Sequence, residues 1–337
     1  MASTYDYLTS YVLKEYIKDL LVNLNTEETE FNEFDYCVIV GMGGSGVIGR
    51  YLRAIVEEKW AKPVVVADYS NPKIPSKGGF LLLAISYSGA TKETNELFKK
   101  YSPRAKKIGV VSGKGELLSL GLQKSARIVE VSGAPAPRFG FAKMFSAALS
   151  IFTIFTGESW LCSDVRSAAA NLSVWFNNRS LRSQVDDVVK YLKDGVPVVY
   201  GSEHLAPVSY RWKTQFNENT KIPAFHSCLP EANHNEVNGW RGTSVDFRGI
   251  LLKSPSYQNL TKASVEAYAR AANLALKHLT FDGENIVEEM LKATVFGDLV
   301  SIRLAQHLNA EPLRVPVIDK VKKIQSEQLA LFEEKQY

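Results

Sequence analysis

The chain of 337 residues has little of what would tie it to several common classes of protein. It has three cysteines, Cys37, Cys162 and Cys228, widely spaced and odd in number. They make neither a disulfide framework nor a zinc-ligand spacing, so a reducing cytoplasm is the expected setting. An excess of one charge is also missing. Forty Lys and Arg stand against 36 Asp and Glu, for a net charge of +4, and no basic cluster stands out. Nothing in that pattern calls for nucleic acid, while a slightly basic balance suits an anionic substrate. The opening MASTYDYLTSYVLKEYIKDLL has no basic segment followed by an apolar core. It reads as an amphipathic helix, with Tyr11, Tyr16, Leu20 and Leu21 among its apolar positions, and not as a signal peptide. The apolar run near Ile151 is interrupted by Thr153, Thr156 and Gly157 and reads as too short to span a bilayer, so no membrane partner is expected.

What is present is an ordinary globular composition, 45% apolar and 23% charged, on a chain long enough for two domains. The first half alternates short β-branched runs with helical patterns. CVIVG, PVVVADY, FLLLAISYSG, KKIGVVSG and ARIVEVSG are continuously apolar runs, as parallel strands buried on both faces should be. Helices are expected at VIGRYLRAIVEEKW, TKETNELFKKY, about 141–155 and about 164–191. VPVVYGSEHLAPVSYRW then echoes CVIVGMGGSGVIGRYLR, strand, glycine, polar loop, helix, at an interval of about 160 residues, a repeat that implies two related α/β domains. The stretch from Thr261 to Asn309 reads as helical with a break near Phe281-Asp282-Gly283, and a last helix follows with Pro316 in its first turn.

Two loops compete to define the site. GMGGSG at 41–46 fits G-x-G-x-x-G between a strand and a helix, and Asp68 ends the next strand 22 residues after Gly46, at the distance of a ribose-binding acid. That pattern alone describes a nicotinamide dehydrogenase. ISYSGATKET at 85–94 sets Ser86, Ser88, Thr91 and Thr94 where a strand ends and a helix opens. Helix N-termini hold free N–H groups and partial positive charge, so they bind phosphate, and hydroxyls add donors that fit a compact dianion. Capping by Ser88 would account for one hydroxyl, not four. Two polar loops on adjacent strand ends suit a sugar phosphate better than a dinucleotide.

GMGGSG together with SYSGATKET resembles the sugar-isomerase (SIS) phosphosugar-binding domain. NENTK at 217–221 and PEANHNEVNGW at 230–240 resemble the bifunctional phosphoglucose/phosphomannose isomerases, over about residues 36–322. The resemblance implies an α/β chain of two SIS-type α/β/α domains, each a mainly parallel sheet flanked by helices, here divided as 1–160 and 161–337. It further implies a homodimer with shared active sites, and interconversion of glucose 6-phosphate and fructose 6-phosphate, with mannose 6-phosphate as a further aldose, through a cis-enediol and with no cofactor or metal.

By resemblance, Gly43, Gly44, Ser45, Ser86, Ser88 and Thr91 bind substrate. Glu218 moves the proton between C2 and C1, with Glu231 and Glu236 as rival bases. Set apart from the family, Glu218 reads as a helix-end carboxylate paired with Lys213 or Lys221. His234, one of five histidines, opens the sugar ring in the partner subunit's site. Arg138 stabilises the enediolate, and Lys322 approaches the substrate from a lysine-rich helix face. Two positions depart from the family: Arg50 where Asp is usual, and Val315 where a threonine is associated with handling both C2 epimers. A non-catalytic sugar-phosphate-binding SIS protein is one alternative, although such a protein has no need of Glu218 or His234, and an NAD(P)-dependent dehydrogenase is the other.

Overall fold

The computed structural model describes residues 3–24, 30, 32–70, 73–242 and 244–334. Helix α1 (Thr4–Leu21) opens on a reciprocal capping box between Ser3 and Asp6, which satisfies two of the donors that a helix start leaves free. Leu8, Val12, Tyr16 and Leu20, four residues apart, bury one face. Tyr11 is half-buried at its edge, and Leu21 points to solvent, against the sequence expectation.

The expected alternation follows: β1 (Tyr36–Val40), α2 (Gly43–Val56), β2 (Val64–Ala67), β3 (Phe80–Ser86), α3 (Lys92–Tyr101), β4 (Lys107–Ser112), α4 (Glu116–Gln123), β5 (Arg127–Glu130) and α5 (Phe141–Thr156). The five strands form one parallel sheet in the order β2-β1-β3-β4-β5. The order reverses between β1 and β3, so the loops after these two strands flank the crevice where open sheets bind ligands. Every residue of β1 and of β3 is buried.

The region 164–191 is not one helix but two, α6 (Trp160–Phe176) and α7 (Ser180–Leu192). The second sheet comprises β6 (Val196–Gly201), β7 (Phe225–Cys228), β8 (Phe247–Lys253) and β9 (Ala275–Thr280), all parallel, in the order β7-β6-β8-β9. Helix α8 (Ala206–Gln215) joins β6 to β7, and α9 (Asn259–Ala271) joins β8 to β9. The second sheet thus repeats β2-β1-β3-β4 of the first, as the internal echo implied. Strand β9 corrects a helical expectation: ALKHLT is built of residues that favour helices, yet its pairing with β8 decides its state. Helices α10 (Ile286–His307) and α11 (Pro316–Glu334) complete the chain.

One hydrophobic core runs through both halves, with α10 packed on α1, α6, α7 and α8, and α2 on α5 and α8. Residues 137–156 have a mean hydropathy of 1.5 and are long and apolar enough, by those measures, to cross a membrane. The sequence expectation of too short a run is corrected here. Within it, 94% of the most apolar 18-residue window is buried in the fold, so the segment serves as a core helix.

Candidate active site

The glycine loop is a tight turn. A Cβ on Gly46 would sit 2.7 Å from the Gly41 carbonyl oxygen, with backbone on both sides. Gly43 begins α2 at φ +52°, and a Cβ there would meet nothing within 4 Å. The N-cap Met42 gives no side-chain bond, so the first N–H groups of α2 face the space above the loop. Gly46→Ala should therefore lower the denaturation midpoint by the equivalent of about 1–3 kcal/mol, because neither backbone can yield. Gly43→Ala should cost about 1–2 kcal/mol from its left-handed backbone alone. Paired urea melts of the two variants check both values.

The hydroxyl loop lies beside it. Ser86 is buried and donates to Thr91 Oγ1 at 3.2 Å. Ser88 is exposed and accepts from the Ala90 N–H. Thr91, not Ser88, is the N-cap of α3, and it makes no side-chain capping bond. Ser45 joins the two loops, since its hydroxyl accepts from the Tyr87 N–H at 3.1 Å. The Tyr87 hydroxyl in turn accepts from the Ala134 N–H, and its ring lies against Gly140. Asp68, the acid a dinucleotide would need, accepts from Arg50 of α2 at 3.2 Å.

Arg138 stands in a 3-10 turn, Pro137–Gly140, directly before α5. A Cβ on Gly44 would lie 3.9 Å from its Cα, so the glycine loop rests on this turn. The guanidinium is 3% exposed. Nε donates to Asn219 Oδ1 at 2.6 Å, Nη1 to Glu218 Oε2 at 3.2 Å, and Nη2 to the carbonyls of Pro312 and Leu313. A guanidinium has five N–H donors, so among the described residues one Nη1 N–H is left without an acceptor. Burial lowers the pKa of the guanidinium, and Glu218 opposes that shift.

Glu218 belongs to a π-helical turn, Phe216–Thr220, that widens the end of α8. Such turns displace side chains from the helical path and are frequent at functional sites. Its carboxylate pairs with Arg138 and not with Lys213 or Lys221; the Lys221 ammonium donates instead to the Glu218 main-chain carbonyl. The Glu218 side chain keeps 26% exposure.

The chain thus links the two loops, Arg138 and Glu218 through a run of direct contacts. The His234 side chain is exposed and, among the described residues, makes no hydrogen bond or ion pair. Lys322 is exposed on α11, where its carbonyl accepts from Ser326. Of the rival bases, Glu231 is exposed and accepts from Asn235, whereas Glu236 accepts from the hydroxyls of Tyr200 and Tyr268 at 2.5 and 3.4 Å. Sequence reasoning passed over the supports. Buried Arg211 donates to the Arg138 carbonyl and to Asp298, and Asn219 donates to Ser301. A charged Asp298 inside the apolar pattern of α10 was the signal available.

Comparison with known proteins places residues 183–324 in a sequence family described as the bacterial phospho-glucose isomerase C-terminal SIS domain. The bifunctional phosphoglucose/phosphomannose isomerase of Thermoplasma acidophilum is 29% identical over 86% of this chain and 89% of its own length. The D-glucosamine-6-phosphate 4-epimerase of Sulfolobus acidocaldarius is 27% identical over 84% of this chain and 86% of its own. Among solved structures, the C-terminal domain of the glucosamine-fructose-6-phosphate aminotransferase of Francisella tularensis superposes with a TM-score of 0.72. It covers 92% of this chain and 99% of that one at 15% identity, a likeness of fold.

Proposed function

We propose that this chain is a phosphosugar isomerase of the SIS-domain family that interconverts glucose 6-phosphate and fructose 6-phosphate, with mannose 6-phosphate as a further aldose substrate. The observation that carries this reading is Glu218: a partly exposed side chain whose carboxylate is held at 3.2 Å by a buried guanidinium beside two phosphate-type loops. The loops take the phosphate through the N–H groups at the starts of α2 and α3, with Ser86, Ser88 and Thr91 supplying hydroxyls. Ser45 acts on the ligand mainly by fixing Tyr87.

In the direction from aldose to ketose, Glu218 takes the proton from C2 and returns it to C1, while the O2 proton passes to O1. Negative charge builds on the enediolate oxygens. The fixed charge of Arg138 and its remaining Nη1 N–H stabilise it. The chemistry is proton transfer alone and asks for no redox cofactor or metal. His234, projecting from its own chain, reaches the cleft of a second copy to open the ring, and Lys322 approaches the sugar from α11. We take residues 1–160 as the unit with the phosphate loops and 161–337 as the unit with Glu218 and His234.

The epimerase relative favours a second reading, inversion at C4 of an amino-sugar phosphate. One coupled assay separates them: purified protein with glucose 6-phosphate, mannose 6-phosphate and glucosamine 6-phosphate in parallel. Fructose 6-phosphate should form from the first and, more slowly, from the second, because Val315 lacks the hydroxyl associated with the C2 epimer. Turnover of glucosamine 6-phosphate alone would replace the isomerase reading by the epimerase one.

A further inference from the structure

The two halves repeat in more than strand order. Val40 pairs with Ala84 across β1 and β3, and Tyr200 pairs with Leu251 across β6 and β8. Both first strands end in glycine turns, Gly41 and Gly201. Two residues on, each half enters the left-handed region, at Gly43 with φ +52° and at Glu203 with φ +43°. A non-glycine residue in that region is uncommon, so its presence marks a retained turn. After the third strand of each half, one register position apart, a serine accepts from the N–H two residues ahead, Ser88 from Ala90 and Ser254 from Ser256. The second half therefore keeps the shape of an anion-binding loop pair.

That pair is occupied from within. Glu289, in the first turns of α10, is 1% exposed. Its Oε2 bonds His204 Nε2 at 2.7 Å and accepts from Ser254 Oγ at 2.5 Å, and its Oε1 accepts from Ser256 Oγ at 2.6 Å. His204 and Ser256 come from the two loops that correspond to 41–46 and 86–91. We propose that Glu289 is a built-in anion that fills the second half's counterpart of the phosphate site, so that each chain takes one sugar phosphate and not two.

The bonding supports the assignment. Burial works to raise the Glu289 carboxyl, yet bonds from His204, Ser254 and Ser256 outweigh it and hold the group below the usual glutamate range. Donors that stabilise a buried carboxylate so well are donors suited to phosphate. A cleft of about 680 Å³, lined by Glu203, His204, Ser256 and Arg50, opens beside the position and would admit a small anion.

The test uses the full chain and inorganic anions. Phosphate is titrated by calorimetry into the wild type and into Glu289→Ala, and thermal midpoints are followed against phosphate and acetate. The wild type should take one phosphate per chain. Glu289→Ala should melt lower, take a second phosphate, and recover its midpoint saturably with either anion. Two phosphates on the wild type would overturn the proposal, and that measurement needs no variant to fold. A folded Glu289→Ala whose midpoint gains no more from anions than the wild type's would overturn it too. The number of sites rests on the phosphate reading of the first half, but no sugar is used. A wild type that takes no phosphate while Glu289→Ala takes one would sink that reading and leave the role of Glu289 standing.

Discussion

Glu218→Gln should reduce turnover of glucose 6-phosphate by about 10²–10⁴-fold, the usual share of a positioned acid–base group. Fructose 6-phosphate binding, followed by calorimetry, should change little. The substitution isolates proton transfer because an amide matches the carboxylate in shape. Its oxygen can still accept from Arg138 Nη1 at the 3.2 Å position, but it cannot take a proton from carbon. The glycine and hydroxyl loops, proposed to hold the phosphate, lie at the starts of α2 and α3, outside this contact, so binding and chemistry should separate. Stability should hold as well, since Arg138 keeps Asn219 and the carbonyls of Pro312 and Leu313 as acceptors. Near-normal turnover would move the base elsewhere. Glu236 is bound by two tyrosine hydroxyls, so Glu231 would then be the first to substitute.

The loops were legible in the sequence because each is local: a strand, a turn whose glycines the backbone demands, and a helix start. Glu218 could be singled out, but its partner could not. Arg138 lies 80 residues away, and periodicity carries no information about contacts at that separation. The nearer lysines were the natural guess, and the π-helical turn re-aims the carboxylate away from them. Strands β7 and β9 were lost for another reason. They are edge strands with partly exposed faces, so neither a continuous apolar run nor a clean alternation marks them. His234 and Lys322 are exposed in a single chain, and any role for them depends on what covers those faces.

Asp298→Ala should be the most destabilising single change near the site, by about 3–5 kcal/mol, because it strands a buried arginine. Arg211 and Asp298 are both nearly inaccessible. One nitrogen, Arg211 Nη2, reaches both carboxylate oxygens at 2.9 and 2.7 Å and the Arg138 carbonyl at 3.1 Å, while Gln215 donates to the same carboxylate. The guanidinium also lies 4.5 Å from the centre of the Phe141 ring. The pair therefore stands under the turn that carries Arg138, where it can hold the core together or aim Arg138 at Glu218. The double variant Arg211→Met with Asp298→Leu distinguishes them. Replacing a buried ion pair by apolar groups of similar volume is often neutral or stabilising, so the midpoint should return to near the wild-type value. Turnover should not return. With no donor to its carbonyl, the turn is free to shift, and a displacement of about 1 Å at reacting groups costs up to about 10²-fold. A stable double variant with kcat reduced about 10–100-fold and KM little changed is the expected result. Full recovery of kcat would confine the pair to stability and leave Asn219 and Ser301 as the side chains that orient Arg138.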